Sequence, residues 1–271
     1  MNQTDLPRVD TPVPTIAEPP SVERSVLAAG LDVMRALTGF ACYGVAAILA
    51  ILACWAVALP VRGQRRKRWC QGVVHLGLKW WEAIMEGIGV FHVDFPEIET
   101  IRALRGTIIA PSHPSLIDAP HFLARMPRLT CLMKKSVFQN PFMGSTSRLA
   151  GYLPNDNGRE FIRLGRDALR AGDNLLIFPE GTRTVAPPVN PFKNGFALIA
   201  KLADAPVQTV FIEMSYFYLG KRWKLGRAPV FPVRIEIRLG RQFRAAPGQS
   251  AHALGAEIEA YFREAMGPGV R

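Results

Sequence analysis

The chain has 271 residues, 49% of them hydrophobic, and its 33 lysines and arginines outnumber its 22 acidic residues by 11. A basic chain of this size favours an acidic partner such as an anionic membrane, an acidic substrate or an acidic carrier. No nucleic-acid partner is expected, because neither a zinc-finger spacing nor an RNA-recognition motif favours one. The four cysteines have no CxxC spacing, which argues against a disulfide framework and a structural zinc site.

Residues 1–30 are predicted to form a flexible, proline-rich tail. The segment has too few apolar residues to offset the entropy of ordering. It does not resemble a signal peptide, because it lacks a basic start and the next apolar run begins too late. Its prolines are Pro7, Pro12, Pro14, Pro19 and Pro20.

Residues 31–97 are predicted to be helices that attach the chain to a membrane. Residues 36–61 carry no charge and are flanked by Arg35 and Arg62, and such a run is long enough to cross the hydrocarbon core of about 30 Å. The basic residues of 62–68 place the chain after residue 62 on the cytoplasmic side, by the positive-inside rule. We expect this membrane to be a bacterial inner membrane. The alternative to a helix that crosses it is a buried helix, or a hairpin that dips into one leaflet.

Residues 69–90 have the pattern of an amphipathic helix. Trp69, Leu76 and Trp80 recur at helical spacing on one face, and Lys79 and Glu82 lie on the other. A tryptophan-rich face beside a basic cluster is typical of the membrane interface. The same face could instead pack on the adjoining α/β domain.

Residues 98–271 are predicted to form a single α/β domain. Short apolar runs at 106–111, 129–133, 174–179, 206–214 and 230–239 read as strands, and helical patterns occupy 158–171 and 250–266. Alternation of strands and helices predicts a layered, mostly parallel sheet flanked by helices. The expected fold is therefore α/β, preceded by a membrane helix and an amphipathic helix.

The segment Ser112-His113-Pro114-Ser115-Leu116-Ile117-Asp118 lies between a predicted strand and a predicted helix. Pro114 disfavours helical geometry at His113 and suits a first helical position, so His113 should lie in a turn. The Asp118 carboxylate can then reach the imidazole, fix its tautomer and stabilise its protonated form. This pattern is compatible with a general base, although these two residues alone favour the simpler interpretation of a structural histidine held by an aspartate.

A second polar segment, Pro179-Glu180-Gly181-Thr182-Arg183-Thr184, directly follows the apolar run 175–178. Polar turns at the carboxyl ends of parallel strands are where open α/β sheets bind ligands. Arg183 can bind an anionic group through two hydrogen bonds, and Gly181 allows close backbone approach. An ordinary turn with a surface ion pair between Glu180 and Arg183 is the alternative.

Together the two segments resemble a known family. The stretch from His113 to Asp118 is similar to the HxxxxD motif of the glycerolipid, or lysophosphatidate, acyltransferases, and residues 178–184 are similar to that family's FPEGTRS block. The resemblance covers roughly residues 104–216 and includes a Lys-rich strand end at Lys134.

The resemblance implies an O-acyltransferase that uses acyl-CoA or acyl-carrier protein as donor, a lipid acceptor and no cofactor or metal. His113 would deprotonate the acceptor hydroxyl and Asp118 would orient His113. The resemblance further implies that substrate is bound by Lys134, Glu180, Gly181, Thr182 and Arg183.

The chain departs from the family pattern at one informative position. Asn157 stands where the family has an arginine thought to bind the acceptor phosphate. This departure keeps open an acceptor without glycerol phosphate, such as an aryl polyene or amino-acid lipid. A lipid hydrolase using the same base is a further alternative, although the chain has no G-x-S-x-G motif, and a membrane-binding protein without activity is another.

A basic band near the C-terminus is predicted to bind anionic lipid or an acidic carrier protein, or else to be a solvated surface. Glu236 is the one acidic residue within it. The band comprises Lys221, Arg222, Lys224, Arg227, Arg234, Arg238, Arg241 and Arg244.

Overall fold

A computed structural model of the chain describes residues 25–140, 143–155, 158–223 and 229–267. The predicted tail lies outside the described residues up to position 24. Residues 26–30 belong to a helix, so the last part of the predicted tail is ordered in the structure.

The described residues contain a seven-stranded sheet. Its strands are β1 (Phe91–Asp94), β2 (Ile108–Pro111), β3 (Leu129–Lys134), β4 (Leu153–Asn155), β5 (Asn174–Leu176), β6 (Val207–Met214) and β7 (Val233–Phe243). They lie in the order β1-β7-β6-β2-β5-β3-β4, and every neighbouring pair is parallel except β6 and β7. This arrangement confirms the predicted layered, mostly parallel α/β sheet.

Helices cover both faces of the sheet. They are α1 (Val26–Ala58), α2 (Gly63–Gly87), α3 (Ile98–Ala103), α4 (Asp118–Arg125), α5 (Lys135–Phe138), α6 (Met143–Leu149), α7 (Arg159–Arg170), α8 (Gly195–Ala203) and α9 (Ala251–Ala265). One hydrophobic core joins α1, α2 and α4 to the sheet, and a second joins α7, α8 and α9 to its opposite face. The two cores place the long N-terminal helices on a single face.

The two longest strands show why the sheet has two buried faces. Strand β6 is buried along its whole length, because it lies inside the sheet between β2 and β7. Strand β7 alternates as predicted: Val233, Ile235 and Ile237 are buried, whereas Arg234 is exposed. The alternation directs the apolar side chains of β7 into the core beneath α1 and α2.

Strands β1 and β4 are absent from the sequence prediction. They have four and three residues, too short for a period-two pattern to stand out. Strand β1 pairs with β7, so the sheet begins before the predicted domain boundary at residue 98.

The contacts of α2 differ from the predicted ones. Trp69, Leu76 and Trp80, predicted as its packing or membrane face, are between 46% and 64% exposed. Val73, Ile84 and Ile88 of the same predicted face pack against the core, so this face contacts the domain in part. The fully buried side chains of α2 include Trp81 and Glu82. The prediction that Glu82 lies on a solvated face is wrong, because its carboxylate binds His121 and Arg125 of α4. Trp69 and Trp80 thus present apolar surface outside the core.

Candidate active site

His113 and Asp118 lie together where strand β2 meets helix α4. The His113 Nδ1 atom lies 2.8 Å from Asp118 Oδ2. A carboxylate at Nδ1 requires the hydrogen on that nitrogen, which leaves the Nε2 lone pair free to accept a proton. The Asp118 side chain is buried and that of His113 is 16% exposed, so the base is accessible while its partner is shielded. The arrangement can act as a general base.

The backbone between these residues holds the pair in place. The Ser115 N–H also donates to Asp118 Oδ2, at 2.8 Å, so the carboxylate closes the turn as well as binding the ring. On its other side the imidazole stacks on Phe178, with ring centroids 3.9 Å apart and planes inclined by 21°. The sequence pattern predicts Phe178 only as part of a strand, although it directly precedes the Pro-Glu-Gly-Thr-Arg turn. The ring of His113 is therefore fixed by a hydrogen bond and by stacking.

Glu180 connects the two sequence motifs. Its Oε1 accepts the backbone N–H of His113 at 3.0 Å, Oε2 accepts that of Asn190 at 2.8 Å, and the Thr184 hydroxyl donates to the same carboxylate. Burial raises the pKa of this carboxyl above its usual value, and hydrogen bonds from Asn190, Thr184 and His113 oppose that effect. The side chain is buried and faces the protein, so the geometry favours a positioning role; its predicted contact with substrate stays a prediction.

Gly181, Thr182 and Arg183 form a rim beside this carboxylate, in which Gly181 is exposed and the other two residues are half-buried. Gly181 has a φ of 65°, in the left-handed region that glycine adopts without strain. The Arg183 guanidinium donates through Nη1 to the carbonyls of Leu219 and Gly220, at 2.8 and 3.2 Å. Part of the guanidinium is thus committed to the loop after β6, and its predicted role in binding an anion stays a prediction.

The remaining predicted site residues fall into two groups. Lys134 ends β3 at the same edge of the sheet as the His113 turn, and its side chain is exposed. Asn157, and Lys224 and Arg227 of the basic band, lie outside the described residues. The structure therefore brings His113, Asp118 and the 180–183 turn together, with Lys134 on the same edge.

An apolar cavity of about 600 Å³ extends from the His113–Asp118 turn between the sheet and the N-terminal helices. Leu116 and Ile117 of the turn line it, together with Leu219. Helix α1 contributes Ala46 and Ala50, among other small side chains. This volume falls within the range of ligand-binding pockets, and its lining suits a hydrocarbon chain. Local sequence patterns do not predict the cavity, because it depends on how α1 and α2 pack on the sheet.

Part of the basic band is neutralised by ion pairs in the described residues, whereas Lys221 of the band is absent from them. Arg238 binds Asp94 at 2.8 Å and Glu236 at 2.5 Å, and Arg244 binds Asp204 at 3.0 Å. Asp94 and Asp204 lie in other segments of the sequence, so a count of charges within the band does not include them. The band is therefore not the uniformly positive surface that the sequence indicates.

Comparison with known proteins gives concordant matches. A family model described as Acyltransferase matches residues 92–213, somewhat less than half of the chain. The 1-acyl-sn-glycerol-3-phosphate acyltransferase of Limnanthes alba is 29% identical over 138 residues, 48% of each chain. The chain thus spans about half the length of this plant relative.

Two bacterial proteins match over a larger share of their length. The 1-acyl-sn-glycerol-3-phosphate acyltransferase of Pseudomonas aeruginosa is 23% identical over 219 residues, 77% of this chain and 80% of the relative. The crystal structure of the 1-acyl-sn-glycerophosphate acyltransferase PlsC from Thermotoga maritima superposes with a TM-score of 0.65 at 19% identity. It covers 86% of this chain and 96% of that protein. The fold of the described chain is therefore shared with that structure.

Proposed function

Because the chain belongs to the glycerolipid acyltransferase family, we propose that it is an O-acyltransferase acting on a lysophosphatidate-like acceptor in lipid synthesis. The observation that carries the proposal is the His113–Asp118 pair, 2.8 Å apart, next to an apolar cavity of about 600 Å³. A base beside a hydrocarbon-sized pocket is the arrangement that acyl transfer to a hydroxyl requires. The names of the relatives support the acceptor class.

In this reaction His113 Nε2 takes the proton of the acceptor hydroxyl while that oxygen attacks the thioester carbonyl carbon. The tetrahedral intermediate collapses with cleavage of the carbon–sulfur bond, and the thiolate leaves with the proton returned from the imidazolium. Asp118 stabilises the imidazolium between these two steps, and the stack on Phe178 keeps Nε2 directed at the hydroxyl. The product is an ester on the acceptor and a free thiol.

The cavity supplies a place for the acyl chain of the donor. Its lining includes Leu116 and Ile117, which belong to the catalytic turn itself, so a chain lying in it would present its thioester to His113. Each buried methylene gains about 0.8 kcal/mol on transfer from water, which favours a long chain. The thioester carrier, either CoA or acyl-carrier protein, would remain outside the cavity.

A second acceptor class is favoured by one sequence feature. Asn157 replaces the arginine that the family uses toward the acceptor phosphate, and this favours an acceptor without glycerol phosphate, such as an aryl polyene or amino-acid lipid. The base, the thioester chemistry and the acyl cavity would be the same for both classes. Lys134, Gly181, Thr182 and Arg183 are the residues proposed to contact either acceptor.

We also propose that the α1–α2 hairpin attaches the enzyme to the cytoplasmic face of a bacterial inner membrane. Helix α1 is long and apolar enough to cross a membrane, and most of it is exposed. However, it packs along α2, with Trp81 Nε1 donating to the Gly39 carbonyl at 3.1 Å, and α2 packs on α4. A full crossing would draw the charged helix α2 and the adjoining domain into the bilayer. The packing therefore favours a hairpin embedded in one leaflet.

Lipid quenching tests this attachment. Trp69 and Trp80 are exposed on α2, so brominated acyl chains should quench their fluorescence in reconstituted vesicles. Trp55 of α1 is exposed as well, so the assay uses a Trp55→Phe background. In that background a double variant with Trp69 and Trp80 changed to Phe should lose most of the quenching, while Trp223→Phe should keep it. Quenching that persists unchanged in the double variant would contradict the proposed orientation.

Transfer assays with the purified full chain test the function itself. Wild-type protein is supplied with acyl-CoA or acyl-carrier protein and with lysophosphatidate or an acceptor lacking phosphate, and the acylated product is measured alongside His113→Ala. We expect transfer to one acceptor class by the wild type and a loss of about 10²-fold or more in His113→Ala. Release of free fatty acid without acceptor would instead indicate a hydrolase, and full activity of His113→Ala would refute the mechanism.

A further inference from the structure

The loop after β6 is fixed across both catalytic segments. The Ser115 hydroxyl donates to the Tyr218 carbonyl at 2.6 Å, and the Leu116 N–H donates to the Leu219 carbonyl at 3.2 Å. Arg183 binds the carbonyls of Leu219 and Gly220 from the other side. This loop therefore has a defined position relative to His113, although it lies about a hundred residues further along the chain.

Lys221 comes directly after these anchored residues. Its ammonium donates to the Thr182 hydroxyl at 2.9 Å, and the residue is exposed. Among the described residues, the ion pairs within 4 Å do not include Lys221. The nearest motif carboxylate, Glu180, is buried and directed at backbone N–H groups. The charge of Lys221 is thus available at the rim of the site.

A second lysine flanks the same turn from another segment. Lys193 lies over Gly181, where an added Cβ would come within 2.8 Å of its Cδ and 3.0 Å of its Nζ. Lys193 is also exposed and also absent from the ion pairs within the described ranges. Two ammonium groups beside one exposed turn repel each other unless an anion lies close to both. The rim formed by Gly181 and Thr182 is therefore a place where a dianionic group would be stabilised.

We propose that Lys221, with Lys193, binds the phosphate of the acceptor and so determines its specificity, an inference that rests on the proposed function. An ammonium is a compact charge that pairs well with phosphate without requiring a fixed fork geometry. The two lysines provide positive charge that Asn157 does not. Besides its proposed contact with the acceptor, Arg183 acts as a positioning residue, because its Nη1 holds the loop that presents Lys221.

Steady-state kinetics with two acceptors test this assignment. Lysophosphatidate and monoacylglycerol, which lacks the phosphate, are compared for wild type, Lys221→Ala, Lys193→Ala and Lys221→Arg. We expect Lys221→Ala to raise KM for lysophosphatidate about tenfold with a smaller change in kcat, and to leave monoacylglycerol kinetics unchanged. Lys193→Ala should act in the same direction, and Lys221→Arg should restore most of the affinity.

Lys201 provides the matched control. It is exposed near the end of α8, which runs from the site back toward the start of β6, so Lys201→Ala removes one positive charge far from the rim. This variant should behave as wild type with both acceptors. If Lys201→Ala raised KM as much as Lys221→Ala, the effect would reflect net charge and the assignment would be wrong.

Direct titration of lysophosphatidate into the protein supplies a readout that does not need turnover. Weaker binding by about tenfold in Lys221→Ala supports the site, whereas equal binding to wild type and variant overturns it. Wild-type preference for monoacylglycerol would also overturn it while leaving acyl transfer intact. If wild type transfers to no acceptor yet binds lysophosphatidate through Lys221, the proposed function fails and the phosphate site stands.

Discussion

The carboxylate of Asp118 accepts two hydrogen bonds, one from the imidazole of His113 and one from the N–H of Ser115. Asp118→Asn retains the size of the side chain but loses the charge that stabilises an imidazolium. We expect turnover to fall by about 10²–10⁴-fold, the contribution of general-base catalysis, with little change in thermal stability. The comparison of kcat and melting temperature with wild type measures both effects.

Asp167→Asn is the matched control for this change, because Asp167 lies exposed on α7 with surface arginines. It should leave turnover unchanged. Activity of Asp118→Asn within a few-fold of wild type would show that the pair is structural, as the simpler interpretation of the sequence holds.

Glu213 gives a prediction about pH. It is buried on β6, its Oε2 has no hydrogen-bond partner in the described part of the chain, and burial together with the nearby Glu236 raises its pKa to about 7. Between the ordinary value of 4.5 and about 7 the folded state keeps a proton that the unfolded state releases, so stability falls as pH rises through this window. Glu213→Gln cannot ionise, so it should not show this fall in stability with rising pH. Its melting temperature should exceed that of wild type more at about pH 8 than at about pH 4.5.

Glu257→Gln serves as the control at the residue scale, because Glu257 is exposed on α9. The difference in melting temperature between Glu257→Gln and wild type should stay nearly constant between these two pH values, unlike that of Glu213→Gln. A Glu213→Gln effect that is equal at both pH values would contradict the ionisation argument.

At the scale of elements, the sequence predicted the features that local chemistry determines. The contact between His113 and Asp118 could be predicted because both residues belong to one turn, whose shape Pro114 and the start of α4 constrain. The role of Glu180 could not, because its bond to His113 depends on the register of β2 against β5 and its bond to Asn190 depends on how the loop after β5 folds back. Likewise, the ion pairs of Arg238 with Asp94 and of Arg244 with Asp204 join residues that are distant in sequence. Local patterns thus identified the motifs but not their supporting contacts.

The docking of α2 onto α4 depends on a buried charge cluster. Glu82 of α2 binds His121 and Arg125 of α4, the helix that begins at Asp118. Glu82→Gln leaves the guanidinium without its counter-charge in a mostly buried setting. Loss of one partner of such a pair costs about 3–5 kcal/mol when fully buried, and we expect a value toward the lower end because Arg125 is 16% exposed. Denaturant unfolding in detergent measures this loss.

Glu99→Gln is the control for the cluster, since Glu99 makes an exposed ion pair with Arg102 on α3. Its free energy of unfolding should change by less than about 1 kcal/mol. If Glu82→Gln were equally mild, the contact between α2 and α4 would rest on apolar packing alone.

At the scale of the whole molecule, the N-terminal helices help to build the candidate site. They form one wall of the apolar cavity, the sheet and α4 form the other, and the His113–Asp118 turn lies at its edge. Helix α1 begins near the site, because Asp32 Oδ2 accepts the Phe231 N–H at 3.4 Å and Phe231 packs on Tyr218. We therefore expect residues later in α1 to lie farther from His113. The position of a cavity-lining residue on α1 should set which part of an acyl chain it touches.

Ala50 tests this relation between position and chain length. It lines the cavity eighteen residues beyond Asp32, or about 27 Å along the helix. Ala50→Phe would occupy space otherwise taken by the distal end of a long acyl chain. Excluding about three methylenes costs about 2 kcal/mol, roughly thirty-fold in kcat/KM for long donors. Short donors do not reach Ala50, so the variant should use them as efficiently as wild type does.

Leu49→Phe separates this effect from a general disturbance of α1. Leu49 is the preceding residue, is 58% exposed and does not line the cavity, so the added ring would face away from the acyl chain. Competition assays with donors of mixed chain length should show wild-type selectivity for Leu49→Phe and a shift to short chains for Ala50→Phe. Equal shifts in both variants would mean that the ring acts through the helix packing rather than through the cavity, and the acyl chain would then have to lie elsewhere.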